Sequence, residues 1–468
     1  MALRANKYRQ PDVSLSLDAM PARLLVALPA LVGSHHTCLY STTCLKWRMA
    51  NRSLPSSAMG VAHAAYRFCR TETIVLSPLD EMPWHQTPDT FDHVITSDPR
   101  FFDRHWFAVY EPDGSRAFQL SMGVYSNMNV LDAQAVFVVG QQQHNLRSSR
   151  SLRPHFLMEC SPFRLDVVEP LRELTWTIEA GDYPAQGEIT WTATSPPEQE
   201  HPNFSRKRGR VVTDYQRYDQ MGVCHGWVEL AGERIEIDQW WSARDHAWGV
   251  RAGVSVLEPV TGIDDRIAAE AIESARDSGR VHAWSQVGPN QPMMVFLLFF
   301  STPEYHGHVQ IHSRDNRRVR LDGQIGDMRS PEAPMVHVVD ATIRAALHPG
   351  THRFRTAQLD LELEDGRQLS FALNPHGSSV AMHGLGYSGG YRDGRGLGAW
   401  RGDHVVEYET WDVSDPEVVV LDDGSTSRPL HRLQPVNVKD ISRKDSSYGT
   451  GSVTLVFNGE LPDEVIPL

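Results

Sequence analysis

Residues 223–240 read VCHGWVELAGERIEIDQW, and this stretch decides the fold class. Residues 223–230 predict one β-strand and residues 234–240 a second, in which Ile235 and Ile237 share one face. Ala231-Gly232 between them has the length and composition of a tight turn. We therefore predict an antiparallel hairpin at the centre of the chain.

Short strands separated by turns continue on both sides of this hairpin. The strand at 105–110 leads into Glu111-Pro112-Asp113-Gly114, a strong reverse-turn signal. Strands at intervals of roughly 8–15 residues, joined by Gly and Asp turns, indicate antiparallel barrels or sandwiches rather than βαβ units. The other predicted strands are 118–122, 133–139, 174–179, 187–193, 282–287, 293–300, 305–312, 318–325, 358–363, 368–374 and 405–411.

Composition and patterning divide the chain into four parts. A leading segment at 1–75, either a flexible tail or the product of a start codon assigned too far upstream, precedes an N-terminal barrel at 76–256. A connector at 257–279 carries one predicted helix, 264–278, which serves as a surface connector or a lid. A C-terminal barrel at 280–468 follows.

Charge and cysteine usage exclude several classes of protein. The net charge is −13, and since residues 1–75 carry nine basic and three acidic side chains, the rest carries −19. An acidic body of this kind repels phosphate backbones, so we expect no nucleic-acid partner.

No apolar run is long enough for a transmembrane helix, and no clean signal peptide is present, so we expect a cytoplasmic protein. Beyond residue 75 only Cys160 and Cys224 occur, too few for a disulfide framework or a structural zinc site, so we expect reduced core residues.

The densest chemistry lies in residues 240–251, which read WWSARDHAWGVR. In a regular strand the odd-numbered Ile235 and Ile237 and the even-numbered His246 point to opposite faces. For all three to face inward, the alternation must shift by one residue near residues 241–242, and a β-bulge does this. His246 beside Trp248 would then be an ionisable imidazole against an apolar wall, with Asp245 to orient it. The equally weighted alternative is a hydrogen-bonded cluster that ties a barrel corner together.

Several segments together resemble one family. Residues 241–251 resemble the DHxWG signature of the carotenoid hydratase (hydroxyneurosporene synthase, CrtC) and AttH-like double-lipocalin group. Residues 215–220, 384–387, 398–402 and 407–412 resemble the same group in order and spacing, and the likeness spans roughly residues 76–460. It implies an all-β fold of two consecutive lipocalin-like antiparallel β-barrels, with few short helices and a ligand cavity near their interface. The group includes carotenoid hydratases and fungal cyclases. The resemblance to it implies neither a metal ion nor an organic cofactor.

The match to the hydratases is incomplete. Their His-x-Trp corresponds to His246-Ala247-Trp248, but their Tyr-x-Asp pair on a following strand has no counterpart. The nearest candidate strand reads HAWSQ at 282–286. A long linear carotenoid is therefore not the favoured substrate.

Other candidate residues have competing interpretations. His306, His308 and His312 share one strand face, a metal-ligand pattern, but an exposed, solvated face is the favoured interpretation. Glu407 and Glu409 share a face with Trp411; an outward acidic face is slightly preferred to a carboxylate acid or base. The glycine-dense stretch 384–402, which contains Tyr387 and Trp400, predicts a close-packed segment or a pocket rim rather than a phosphate loop.

Two functions follow from these residues. The favoured one is a cofactor-free acid–base enzyme of the lyase, hydratase, isomerase or cyclase type, with a hydrophobic unsaturated or aromatic substrate in a barrel-interface pocket. The alternative is a lipocalin-like carrier of a hydrophobic ligand. The oligomeric state stays open, a homo-oligomer included. The predicted catalytic residues are His246, Asp245, Tyr387 and Glu409, and the predicted substrate-binding residues are Trp240, Trp248, Trp284, Trp400, Tyr218 and Trp411.

Overall fold

The computed structural model describes the greater part of the chain from residue 78 onward. The described residues are 78–81, 83, 88, 90–153, 157–207, 209–255, 293–314, 317–330, 333–458 and 465–468. The predicted leading segment at 1–75, the connector at 257–279 with its helix, the strand at 282–287 and Trp284 lie outside them.

Antiparallel strands make up most of the described residues. In the first half of the chain they are β1 (Phe101–Tyr110), β2 (Arg116–Tyr125), β3 (Val130–Val139), β4 (Gln142–Ser151), β5 (Glu159–Cys160), β6 (Phe163–Glu169), β7 (Glu173–Ile178), β8 (Ala185–Ala193), β9 (Glu198–Gln199), β10 (Asn203–Lys207), β11 (Arg210–Leu230) and β12 (Glu233–Val250). In the second half they are β13 (Met293–Ser301), β14 (Tyr305–Arg314), β15 (Arg317–Asp327), β16 (Val336–Leu347), β17 (Phe354–Leu363), β18 (Gln368–Pro375), β19 (Val380–Ala381), β20 (His404–Asp412), β21 (Val419–Val420), β22 (Thr426–Ser427), β23 (Arg432–Asp440), β24 (Tyr448–Asn458) and β25 (Val465–Pro467). Short 3₁₀ helices lie at Pro78–Glu81, Ser126–Met128, Met382–Leu385 and Tyr387–Gly389. The described part of the chain contains no helix long and apolar enough to span a membrane.

The two predicted turns are confirmed. The β11–β12 hairpin pairs Leu230 with Glu233 across Ala231-Gly232, whose φ values are +52° and +84°. Positive φ at both central residues is what a two-residue type I′ hairpin turn requires. Between β1 and β2, the Gly114 amide donates to the Glu111 carbonyl at 2.9 Å.

The first barrel is a sheet curled around an aromatic core. Its strand order is β4-β3-β2-β1-β12-β11-β8-β7-β6-β5. The ends of the sheet approach each other, since the Cys160 thiol of β5 donates to the Leu131 carbonyl of β3 at 3.4 Å. Cys160 and Cys224 are free, buried thiols, as predicted. The largest buried side chains of this core include Phe107, Phe118, Trp176, Trp191 and Trp240.

The second barrel is closed by backbone hydrogen bonds. Its order is β15-β14-β13-β24-β23-β18-β17-β16, and β16 pairs with β15 to complete the ring of eight strands. Alternate residues of each strand fill its core; on β13 these are Met294, Phe296, Leu298 and Phe300. The predicted fold class, two lipocalin-like antiparallel barrels, is confirmed.

A β-bulge in β12 changes which side chains face the first core. Cys224 pairs with Trp240 but Gly226 pairs with Ile237, so His225 alone opposes Asp238 and Gln239. Gln239 has a left-handed φ of +56°, as the extra residue of a bulge often does. The predicted parity change is therefore real and lies two to three residues earlier than expected. Beyond it, Trp240 faces the first core, whereas Trp241 and Ala243 lie on the opposite face of β12.

Late strands of the chain return to the first sheet. β20 pairs antiparallel with β4 from His404 opposite Arg150 to Asp412 opposite Gln142, and β21 and β22 extend the sheet beyond β20. Strands β20, β21 and β22 fall within 280–468, the range predicted for the C-terminal barrel. The two barrels are thus interleaved in sequence, although each has its own core.

The barrels pack through a third apolar cluster. It joins the outer faces of β1, β3 and β12 to β13 and to the segment that follows β18. Trp106 of β1 lies 5.7 Å from Phe299 of β13, measured between ring centroids. Trp241 and Ala243 of β12 belong to the same cluster, because the bulge directs them outward. The bulge therefore serves the inter-barrel contact as well as the first core.

We predict that Gly226→Ala destabilises the protein by at least about 3 kcal/mol, because φ at this position is +129° and a Cβ would lie 2.1 Å from the Glu188 carbonyl oxygen. Gly232→Ala is the matched control, since φ is +84° but no atom lies within 4 Å of the added Cβ. Its cost is expected to be roughly 1 kcal/mol. Urea unfolding of both variants measures the difference; equal costs would contradict the close approach at the bulge.

Candidate functional site

A cavity of about 480 Å³ lies between the two barrels. Strands β1, β11 and β12 form one side, and β13, β14, β15 and β23 form the other. Its apolar walls include Trp106, Met294, Leu297, Phe299, Met382 and Leu433. Its polar side chains include Tyr215, Arg217, Asp245, Arg251, His312, Tyr387 and His431. The lining thus combines apolar walls with a comparable number of polar side chains, and cavities that bring polar groups together beside apolar walls are common small-molecule sites.

Asp245 enters this cavity because of the bulge in β12. As an odd-numbered residue beyond the bulge, it shares the outer face with Trp241 and Ala243. Its carboxylate lies 3.8 Å from Arg217 Nη1. Burial raises the pKa of Asp245, although Arg217, Arg104 and Arg251 act in the opposite direction. The carboxyl group is therefore easier to protonate than a surface aspartate.

Tyr387 reaches the same cavity from the loop between β19 and β20. It begins the 3₁₀ turn Tyr387–Gly389, directly after Gly386, whose φ of +80° redirects the chain. Arg104 donates a hydrogen bond to the phenol oxygen. Burial disfavours the phenolate, but Arg104 and Arg251 outweigh burial and lower the pKa of Tyr387. The cavity thus contains a carboxyl group and a phenol whose pKa values are shifted toward neutrality.

Two imidazoles complete the polar lining. Burial, assisted by Arg320, lowers the pKa of His312 to about 4, so its ring is neutral near pH 7. His431 packs edge-on against Tyr387, with 5.4 Å between the ring centroids. Both rings can accept or donate a hydrogen bond to a bound molecule.

His246 lies on the opposite face of β12 from Asp245. Its Nε2 atom is 2.7 Å from Asp103 Oδ1, and its Nδ1 atom is 3.3 Å from the Tyr218 hydroxyl. The Trp248 ring lies 5.3 Å from it, measured between centroids. The predicted orientation of His246 by Asp245 is corrected: adjacent strand residues point to opposite faces, and Asp103 is the carboxylate partner.

This histidine cluster also contains a residue that the sequence did not single out. His105 of β1 stacks on His246 at 3.9 Å between ring centroids. Burial, together with the neighbouring His246 and Arg244, lowers the pKa of His105 well below its usual range. Three predicted residues, His246, Tyr218 and Trp248, therefore meet here, outside the lining of the inter-barrel cavity.

The remaining predicted site residues are dispersed. Trp240 is buried in the first core, 5.2 Å from Phe118 between ring centroids. Trp400 is 41% exposed. Glu409 and Trp411 line a second cavity of about 700 Å³ with Tyr391. The preferred outward position of Glu409 is wrong: the residue is 6% exposed and pairs with buried Arg147.

The histidines of β14 share one face, as predicted, but their expected exposure is wrong. His306 and His308 are 1% and 0% exposed, because this face of the second barrel packs against the first sheet. Glu198 bridges them, with 3.1 Å from its Oε1 atom to His306 Nδ1 and 3.0 Å from its Oε2 atom to His308 Nδ1. One ring nitrogen of His308 and carboxylate oxygens of Glu200 and Asp219 lie within 4.8 Å of one another. These three residues are the candidate metal ligands among the described residues.

Several site residues carried no signal in the sequence. Trp106 lies in the predicted strand 105–110, but the sequence did not indicate that it faces a cavity. Arg104 carried no signal, and Arg251, which ends the 240–251 segment, was not singled out within it; the fold brings both to Tyr387, more than 130 positions away. Glu198 and Glu200 stand in an acidic, proline-containing stretch typical of a surface loop. Only the Tyr-Gln-Arg-Tyr-Asp-Gln run at 215–220, noted for its family likeness, pointed to Arg217 and Asp219.

We predict that the wild-type protein contains a phenol that ionises below pH 10, the ordinary value for tyrosine, and that Tyr387→Phe removes it. Arg251→Met should raise this pKa, because it removes a cation that stabilises the phenolate. The measurement is an ultraviolet titration of tyrosinate. Tyr391→Phe is the matched control, since burial raises the pKa of Tyr391 well above its usual range. A low-pH ionisation that persists in Tyr387→Phe would contradict the assignment.

No curated protein matches the sequence. Among solved structures, an AttH-like protein from Nitrosomonas europaea is similar with a TM-score of 0.42 and 11% identity, covering 81% of this chain and 99% of that one. CghA with Sch210972 is similar with a TM-score of 0.39 and 10% identity, covering 76% of this chain and 88% of that one. Kievitone hydratase from Nectria haematococca is similar with a TM-score of 0.35 and 10% identity, covering 76% of this chain and 89% of that one.

A family model provides the classification. The model described as a family of unknown function, DUF8625, matches residues 76–439, which is most of the chain. The match covers the first barrel, all of the polar residues named in the cavity lining and the strands that return to the first sheet. The chain therefore belongs to the DUF8625 family.

Proposed function

We propose that the inter-barrel cavity is the active site of a cofactor-free acid–base enzyme. Its substrate would be a hydrophobic unsaturated or aromatic small molecule, and the reaction would be of the lyase, hydratase, isomerase or cyclase type. One observation carries the proposal: Asp245 and Tyr387, 142 positions apart, line one cavity that also has aromatic and aliphatic walls. The sequence also predicts both residues as catalytic.

The size and lining of the cavity favour a compact ligand. A volume of about 480 Å³ suits a molecule of drug-like size, whereas a long linear carotenoid would not fit inside it. Trp106 and Phe299 offer aromatic faces that stabilise a developing positive charge. An unsaturated substrate that passes through a cationic state on protonation matches these walls.

The polar groups divide into proton donors and charge stabilisers. Asp245, with its raised pKa, can hold a proton in the cavity and release it to an activated double bond. Tyr387 lines the same cavity and can also exchange a proton with a bound intermediate, because Arg104 and Arg251 stabilise its phenolate. General acid–base catalysis of this kind contributes roughly 10²–10⁴ in rate.

In this proposal His246 is not the acid or base. Its ring lies on the other face of β12 and is held between Asp103 and Tyr218. We assign that cluster the structural role that the sequence left as the alternative, a hydrogen-bonded corner of the first barrel. The proton-transfer role then belongs to Asp245 and Tyr387.

The test uses a lipophilic extract of the source cells, incubated with wild-type protein and followed by liquid chromatography and mass spectrometry. We expect one compound to be consumed, with a product that is either an isomer of unchanged mass or differs by one water. Asp245→Asn and Tyr387→Phe should each lower the rate by roughly 10²–10⁴. Asp103→Asn and Tyr391→Phe are the matched controls and should retain the wild-type rate.

Two outcomes would overturn the proposal. A compound that binds to wild type and to Asp245→Asn alike, and is recovered unchanged from both, would make the protein a carrier. Loss of turnover in Asp103→Asn with full turnover in Asp245→Asn would move the reaction to the His246 cluster.

A further inference from the structure

Three buried side chains meet where the first sheet packs against the second barrel. Asp219 comes from β11, Glu200 directly follows β9, and His308 comes from β14 of the second barrel. One ligand atom from each lies within 4.8 Å of the other two. The group is separate from the inter-barrel cavity, since none of the three residues contributes to its lining.

Polar atoms of this group lack partners. Asp219 and His308 are both 0% exposed. Within the described chain, neither carboxylate oxygen of Asp219 has a hydrogen-bond donor, and His308 Nε2 has no hydrogen-bond partner. Buried polar atoms are nearly always satisfied, because an unsatisfied one is costly. Two such residues in one cluster indicate a partner that the side chains themselves do not supply.

Glu198 fixes the orientation of the His308 ring. Its Oε2 atom lies 3.0 Å from His308 Nδ1 and accepts a hydrogen bond from it. The same nitrogen lies 3.7 Å from Asp219 Oδ2, so this edge of the ring faces the cluster. A carboxylate that holds a histidine in this way orients the ring as a ligand. Glu198 is itself buried and held by His306 on its other oxygen.

The layer around the three residues is rich in buried charged groups. Four buried carboxylates, those of Glu198, Glu200, Asp219 and Asp322, share it with two guanidinium groups and with the imidazoles of His306 and His308, which lie against Glu198. Arg217 pairs with Glu200 and lies 3.6 Å from Asp219, and Arg320 lies 2.7 Å from Asp322. Among the described residues Asp219 has no hydrogen-bond donor, so a divalent cation beside it would supply the partner that it lacks.

We propose that Glu200, Asp219 and His308 form a binding site for a divalent cation such as Zn²⁺. The bound ion would join the two barrels. One imidazole nitrogen and carboxylate oxygens are ordinary zinc ligands, and water completes the coordination. Two ligands belong to the first sheet and one to the second barrel, so the ion acts as a cross-link between them. The proposal is independent of the acid–base reaction assigned to Asp245 and Tyr387.

The test is zinc binding to the full chain after removal of metals with EDTA. Isothermal titration with ZnCl₂ should give one tight site per chain, and Co²⁺ should produce visible d–d absorption of a protein-bound ion. Asp219→Asn and His308→Gln should each weaken Zn²⁺ binding by at least about 100-fold, since each removes a ligand. Glu198→Gln should weaken it by roughly 10–100-fold, the usual effect of losing a side chain that orients a ligating histidine.

His312→Gln is the matched control on the same strand face and should bind Zn²⁺ as wild type does. Thermal unfolding gives a second readout: Zn²⁺ should raise the unfolding temperature of wild type and of His312→Gln, but not of His308→Gln. Wild-type protein without a tight site would overturn the proposal and leave the cluster neutralised by protons. Binding that survives Asp219→Asn and His308→Gln, or that is lost in His312→Gln, would also overturn it.

Discussion

The strict alternation of side chains along a β-strand is the constraint on which the rest of this structure depends. β12 must fill the first core at Ile235 and Ile237 and, further on, present Trp241 and Ala243 to the second barrel. A regular strand would direct Trp240 outward and Trp241 into the first core. The extra residue at the bulge reverses this parity. Asp245 reaches the cavity for the same reason, so the candidate chemistry depends on one irregularity of the backbone.

The second determinant is the electrostatics of the layer between the barrels. Charged residues are rarely buried unless they are paired, yet this layer contains Arg104, Arg217, Glu198, Glu200 and Asp219. Burial raises the pKa of Asp219 well above its usual range, and the neighbouring Glu200 acts in the same direction. The pKa of Glu200 is instead lowered to about 2, where Arg217 and His308 overcome the effect of burial. Functional sites concentrate such opposed shifts, and structural ion-pair networks produce them as well.

Periodicity predicted many of the strands in which apolar residues alternate, but it missed others of that kind, such as β16 and β24, and it also missed a strand whose buried residues are polar. Every predicted strand within the described residues overlaps an observed one. β4 was missed because its buried side chains are Gln143, Asn145 and Arg147, which offer no apolar alternation. Gln143 bonds to the backbone of Ala381, 238 positions away, and only the folded chain brings them together. The same limit applies to the site: Asp245 and Tyr387 stood in noticeable motifs, whereas Arg104 and Glu198 acquire their roles from distant neighbours.

The return of β20 to the first sheet has a consequence for synthesis on the ribosome. β4 ends at Ser151, and its partner begins at His404. At roughly 5–20 residues per second, the nascent chain spends on the order of ten seconds or more with the edge of β4 uncovered. An open strand edge is a template for pairing with other chains. The polar sequence of β4, QQHNLRSSRS, therefore has a protective value during translation that is unrelated to its contacts in the finished fold.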